Sequence, residues 1–213
     1  MTQARILIAD DHELVRVGLR RILAVHADWE ICAEADNGLD AVRQACAMRP
    51  DLAILDYSMP HLNGMEATRQ IREALPDTEV LVLTMHDSDS LVAEVLAAGA
   101  QGFMLKSDIG RELVRAVEAV LRHKPFYTEH VANLVKDGKL GTSPRRASGP
   151  LSPRERQIVQ MIAEGNSTKQ IARALDLSPR TVDVHRANLL RKLNLPCVAD
   201  LVRYALRNNM IEP

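Results

Sequence analysis

The stretch "LAILDYSMP", residues 52–60, decides the fold. Leu52, Ala53, Ile54 and Leu55 form an unbroken apolar run. It reads as a short strand buried on both faces, as strands of parallel sheets are. The run ends in a carboxylate, Asp56, and the chain turns away through Ser58, Met59 and Pro60. A charge at the tip of a core strand is costly unless something pairs with it.

Working outward, four more runs have the same character: "RILIAD" (5–10), "EICAEA" (30–35), "VLVLT" (80–84) and "GFMLK" (102–106). Helical patterns lie between them, at 12–25, 38–48, 64–74, 88–98 and 110–122. In the first, Leu14, Val17, Gly18, Arg21 and Ile22 recur at helical spacing. Strands alternating with helices predict an α/β domain over residues 1–122, a doubly wound five-stranded parallel sheet with helices on both faces. Residues 123–149 read as a linker with one further helix around 128–136. Within it, "DGKLGTSPRRASGP" (137–150) has the Gly, Ser and Pro content of a tether.

Residues 150–213 form a small all-helical domain. "SPRERQIVQMIAEG" has Ser152 as N-cap, Pro153 in the first turn, Glu155 completing a capping box and Gly165 as terminator. Charge separates along the same boundary. From Pro150 onward ten Lys/Arg face six Asp/Glu, whereas residues 1–149 carry 17 against 22, within a chain of net charge −1. An acidic front and a basic tail form an asymmetry that fits either a nucleic-acid partner for the tail or a basic-faced helical bundle that binds protein. Three scattered cysteines, Cys32, Cys46 and Cys197, give neither a disulfide framework nor zinc spacing, which suits a reducing compartment. With no leader-like or membrane-length apolar run, the expected location is the cytoplasm, with no membrane partner.

In a doubly wound sheet, ligands collect outside the carboxyl ends of the strands. Those ends carry Asp10 and Asp11, Asp56, Thr84 and Lys106. Three carboxylates at one edge need a counter-charge, and Mg²⁺, a hard cation that takes carboxylates, waters and phosphate oxygens, fits. Lys106 suits a phosphoryl oxygen and Thr84 adds a hydroxyl. The set describes phosphoryl transfer, in which a carboxylate can itself be the nucleophile. Read singly, Asp10 is a helix N-cap, Thr84 strand filler, Lys106 a solvated tip and Phe103 core; the joint pattern favours the functional reading.

The ordered set "ADD", "LDYSMPHLNG", "VLVLT" and "AAGAQGFMLK" resembles the flavodoxin-like receiver domain of two-component response regulators over residues 4–122. The resemblance implies that Asp56 is the phosphoacceptor, that Asp11, Asp56 and the Ser58 carbonyl bind Mg²⁺ directly, and that Asp10 acts through water. It implies that Lys106 contacts the phosphoryl group, that Thr84 and Phe103 form a switch pair, and that Pro60 and Gly64 shape the loop. A sensor histidine kinase is the implied donor, and the only enzymatic chemistry implied is self-phosphorylation and autodephosphorylation.

In the tail, two helices joined at Asp176–Leu177, the second starting at Ser178–Pro179, fit a helix-turn-helix. Val182, Leu189 and Leu193 fall on one side of the second helix with His185. Arg180, Asp183, Val184, Ala187 and Arg191 fall on the other, a stripe that suits phosphates and base edges. "LSPRERQIVQMIAEGNSTKQIARALDLSPRTVDVHRANLLRKL" resembles the LuxR-type helix-turn-helix of the NarL/FixJ regulators. The candidate DNA contacts are Thr168, Lys169, Arg180, Thr181, Asp183, Val184, Arg186, Ala187 and Arg191. Asp183 stands where many relatives carry a DNA-contacting lysine. The expected function is a transcription regulator that a phosphoryl group on Asp56 switches to a DNA-competent, dimeric form. The alternatives are an aspartate-nucleophile phosphohydrolase, which needs a second acid where this chain has Ser58, and an interaction module with a vestigial receiver.

Overall fold

Each apolar run of the N-terminal half pairs with another in the computed structural model of the chain, which describes residues 3–85, 88–128, 131, 151–208 and 210–211. The chain divides into two compact units, the first comprising residues 1–59 and 63–145 and the second residues 60–62 and 146–213. The first contains strands β1 (Ala4–Ala9), β2 (Trp29–Ala35), β3 (Leu52–Asp56), β4 (Glu79–Thr84) and β5 (Gly102–Leu105). Helices α1 (Glu13–Leu23), α2 (Gly38–Met48), α3 (Gly64–Ala74), α4 (Asp89–Ala97) and α5 (Ile109–Leu121) alternate with them.

The sheet has six strands, one more than the sequence predicts, in the order β2-β1-β3-β4-β5-β6, and every pairing is parallel. The sixth, β6 (Phe126–Tyr127), falls in the segment read as linker and pairs with Gly102 and Phe103. Without it β5 would be an edge with open backbone groups. His123, in the left-handed region at φ 57°, turns the chain back from α5 to lie along that edge. The helix expected around 128–136 and the tether at 137–150 lie outside the described residues, Thr128 and Val131 apart.

Alternation along the strands divides the core. Ile6, Ile8, Leu52, Ile54, Leu81, Leu83 and Met104 pack with Leu19 and Leu23 of α1 and Leu113, Ala116, Val117 and Val120 of α5. Leu7, Ala53, Leu55, Val82 and Phe103, all fully buried, point to the opposite face. Side-chain caps start the helices there: Asn37 accepts from Asp40 N–H, and Asn63 from Glu66 N–H, each at 2.9 Å. All five residues of β3 are buried, the four apolar ones and Asp56 alike.

The second unit contains α6 (Pro153–Ala163), α7 (Thr168–Ala174), α8 (Pro179–Lys192) and α9 (Val198–Arg207). Ser152 and Glu155 form the predicted capping box, and Ser167 with Gln170 forms a second. Gly165, at φ 83°, ends α6 in the left-handed region that glycine adopts freely. Asp176, at φ 53°, makes the turn between α7 and α8. Lys192 Nζ, 2.6 Å from Glu155 Oε2, ties the end of α8 to the start of α6.

Candidate functional site

Strand order reverses between β1 and β3, which opens a crevice at their carboxyl ends. Asp10 follows β1 and Asp56 ends β3. Lys106 is not the last residue of β5, as the sequence suggests, but the first of a 3-10 turn, Lys106–Asp108. That turn carries its ammonium back over the crevice. Lys106 Nζ lies 2.8 Å from Asp10 Oδ2 and 2.9 Å from Asp56 Oδ2. Asp10 is 0% and Asp56 2% exposed. Asp11, at the rim, keeps 32% of its side chain in solvent.

One ligand atom from each of Asp10, Asp11, His12 and Asp56 fits within a sphere of contacts no longer than 4.8 Å. Three carboxylates and one ammonium leave two negative charges uncompensated. Asp10 Oδ2 and Asp56 Oδ2 are sealed from solvent, with the Lys106 ammonium against both. The donor set therefore fits a hard divalent cation. Its strain appears in the titration of Asp56, whose pKa is pushed up to about 7. Burial is the main cause and the Asp10 charge adds to it; Lys106 and the Ser58 N–H oppose it. Burial also works against the charge on Lys106, but the two carboxylates outweigh it and hold its pKa above the ordinary value.

Read alone, Asp10 would cap α1. It does not: His12 holds the N-cap position, and Asp10 Oδ1 accepts from His12 N–H at 2.8 Å instead. The Asp10 backbone is fixed on both sides, its N–H donating to Ala35 O at 3.2 Å and its carbonyl accepting from Arg16 Nη1 at 2.7 Å. Arg16 in turn meets Glu34, its Nε 3.6 Å from Oε2. Sequence reasoning missed His12, Arg16 and Glu34. "DDH" carries a signal for the first, since histidine is a poor N-cap, but nothing in the sequence joins Arg16 to a backbone carbonyl.

Thr84 and Phe103, on neighbouring strands, share one face of the sheet. Phe103 pairs with Val82, and Thr84 lies two residues further along β4. Both are buried, at 1% and 0% exposure. Gly64, the first residue of α3, donates its N–H to Tyr57 O at 2.8 Å, and a β-carbon there would lie 2.1 Å from the Asp56 carbonyl oxygen. This is the physical demand behind the glycine in "HLNG". Ser58 lies in the turn after β3; Pro60 follows in the same loop.

In the second unit, Val182 and Leu189 are fully buried, and Arg180, Asp183, Val184, Ala187 and Arg191 are exposed along the other side of α8, as the spacing predicts. Val184 is 54% exposed, a large apolar residue held in solvent among Arg180, Asp183 and Arg191. Arg186 and Thr181 are half-buried, and the Thr181 hydroxyl shares a hydrogen bond with Ser178, the N-cap. Lys169 is exposed near the start of α7. Thr168, beside it, donates to Asp183 Oδ1 at 3.2 Å and so ties α7 to α8. Fourteen residues make α8 about 21 Å long at ~1.5 Å per residue, enough to lie in a major groove.

Two family profiles match, "Response regulator receiver domain" over residues 6–118 and "Bacterial regulatory proteins, luxR family" over 149–205. The chain belongs to the NarL/FixJ, LuxR-type response regulators. Oxygen regulatory protein NreC of Staphylococcus epidermidis is 37% identical over 98% of this regulator and 99% of NreC. Response regulator UvrY of Escherichia coli O6:H1 is 35% identical over 96% and 94%. The RcsB response regulator of Salmonella typhimurium has a solved structure similar at a TM-score of 0.59, with 25% identity over 95% of this chain and 98% of that one. Another RcsB structure, of two dimers bound to two parallel DNAs, has a TM-score of 0.60, 25% identity and the same coverage. This regulator is thus a phosphorylation-controlled DNA-binding protein. Among its described residues no helix is long and apolar enough to cross a membrane.

Proposed function

We propose that Asp56 is the phosphoacceptor of a cytoplasmic transcription regulator, and that a sensor histidine kinase is its donor. The observation that carries this is Lys106 Nζ seated between the buried Asp10 and Asp56 carboxylates. An Asp56 carboxylate oxygen forms a bond to phosphorus as the bond from phosphorus to the donor nitrogen breaks. Lys106 neutralises charge on the transferred group, and Ser58 N–H steadies the carboxylate. Asp11 and Asp56, with the Ser58 carbonyl, would hold Mg²⁺, and Asp10 would act through water. When bound, that ion would neutralise charge on the phosphoryl oxygens and draw them towards Asp56. Thr84 turning towards the new phosphoryl oxygens would leave room for Phe103 to follow on the same face, which biases the domain between two states.

The output is DNA binding through α8, in which Arg180, Arg186 and Arg191 with Lys169 and Thr168 meet phosphates. Thr181, Asp183, Val184 and Ala187 face the bases, Val184 suiting a thymine methyl. Two copies would pair on the DNA, because one short helix is a weak reader and half-sites about 10 bp apart add affinity. A phosphohydrolase reading gains nothing from the site, since Ser58 supplies no second acid.

The test is to label the chain with acetyl phosphate, reduce the acyl phosphate with borotritide and map the tritiated peptide. Label in the peptide that contains Asp56, dependent on Mg²⁺, is the expected result; label elsewhere, or unaffected by EDTA, would overturn the assignment. On the DNA side, Asp183→Lys removes an acceptor and adds a cation. The salt dependence of promoter binding, measured by anisotropy, is expected to steepen by about one ion per bound chain. An unchanged slope would place residue 183 away from the DNA.

A further inference from the structure

Asp183 puts a carboxylate on the side of α8 that carries Arg180 and Arg191. It is exposed, as are Arg180, one turn before it, and Ala187, one turn after. Among the described residues no ion pair neutralises it. The polar contact of its side chain is with the Thr168 hydroxyl, which donates to Oδ1 at 3.2 Å. Thr168 opens α7, where the capping box of Ser167 and Gln170 fixes the backbone. The carboxylate is thus held by one oxygen, and Oδ2 has no protein donor among the described residues. Ala187 is too small to cover it from the next turn.

A negative side chain beside DNA loses affinity, because the phosphates repel it. It gains only against a donor, since a carboxylate accepts hydrogen bonds and gives none. In the major groove guanine presents two acceptors, O6 and N7, and thymine presents O4 and a methyl group. Adenine has an amino donor, but N7 beside it is an acceptor. Cytosine alone presents an amino group, N4, on an edge without acceptors.

We infer that Asp183, steadied by Thr168, reads the N4 amino group of one cytosine in each half-site. It is then a specificity-determining residue that adds selectivity and no affinity for phosphate. Thr168 acts in this through Asp183, as a positioning residue. The inference rests on the reading of α8 as the DNA-facing helix, and it names the base that one of its side chains takes.

The experiment lets the full chain, phosphorylated with acetyl phosphate, select from a pool of random duplexes. Binding to the selected sequence and to each of its single-base substitutions is then measured by anisotropy. One position per half-site is expected to favour cytosine over every other base by about tenfold in the wild type. Asp183→Asn replaces one carboxylate oxygen by an amide N–H₂ group, which pairs with adenine N6 and N7 together. At that position the preference should pass from cytosine to adenine, and the other positions should keep theirs. Thr168→Val has nearly the same shape without the hydroxyl, and is expected to lower the cytosine preference about threefold at that position alone, the cost of ordering a freed side chain. Damage to the fold would weaken binding to all sequences alike. If no position responds to residue 183, or Asp183→Asn still favours cytosine there, the inference fails alone. A full cytosine preference in Thr168→Val removes the part given to Thr168. If the double variant Arg180→Ala, Arg191→Ala binds the selected DNA as the wild type does, α8 does not face the DNA, and the broader reading fails with it.

Discussion

Asp56→Asn is expected to be more stable than the wild type in EDTA at pH 8, and to accept no phosphoryl group. The pKa of Asp56 is raised in the folded chain from 3.8 to about 7, first by burial and then by Asp10. A carboxyl group with a raised folded pKa contributes stability that is fully present below about pH 4 and is lost as pH rises through about 7. Above pH 7 the metal-free wild type therefore holds an ionised carboxylate that the fold resists. At ~1.4 kcal/mol per pKa unit, with allowance for coupling to Asp10 and Lys106, asparagine should gain about 2–4 kcal/mol there. That corresponds to a rise of very roughly 5–15 °C in the melting temperature of the N-terminal unit. Two controls fix the cause. The gap should close towards pH 4, where both forms are neutral, and it should narrow at pH 8 in millimolar Mg²⁺, which binds and stabilises only the charged form. Scanning calorimetry at pH 4, 6 and 8 with and without Mg²⁺ measures all three. A gap that ignores pH would mean that the Asp56 charge is not what the fold resists, and labelling of Asp56→Asn by acetyl phosphate to more than a few per cent of wild type would place the acceptor elsewhere.

Much of this was legible from one strand. "LAILD" is apolar up to its last residue because both faces of β3 are covered, and the same burial raises the pKa of Asp56. Asp10, Thr84 and Lys106 were visible as polar residues at the ends of apolar runs, because parallel strands align those ends. The cap at Ser152 and the helix start at Ser178–Pro179 were legible because side-chain capping is local. What escaped depends on partners distant in sequence. Phe126 and Tyr127 show no alternation of their own; they are a strand only because β5 offers an open edge. Lys106 left the strand because a 3-10 turn, not extended chain, returns its ammonium to Asp10 and Asp56. Arg16 reads as an exposed helical charge, yet it holds the Asp10 carbonyl, because the helix start folds back over the strand end. Periodicity reports which face is buried and says little about which backbone group a long side chain will reach.

Gly64→Ala is the second large effect, and it tests the site through its backbone. The added β-carbon would lie 2.1 Å from Asp56 O, 2.9 Å from Asp56 C and 3.0 Å from Tyr57 Cα, all main-chain atoms of the strand end and the residue after it. No rotamer change relieves such a contact. Either α3 withdraws and breaks the Gly64 N–H bond to Tyr57 O and the Asn63 cap, or Asp56 moves relative to Lys106. Overpacking of a rigid core position costs about 1–3 kcal/mol, and one that also breaks hydrogen bonds belongs at or above the top of that range. Chemical denaturation should thus show a loss of about 3 kcal/mol or more, and acetyl-phosphate labelling under folding conditions should fall with it. Gly18 and Gly110 supply the contrast. Both sit in helices with nothing within 4 Å of an added β-carbon, and alanine there should be neutral or stabilising by up to ~1 kcal/mol. If Gly64→Ala behaves like Gly18→Ala, the close approach of α3 to the Asp56 carbonyl is not what aims the carboxylate, and the turn through Ser58 and Pro60 must do so unaided.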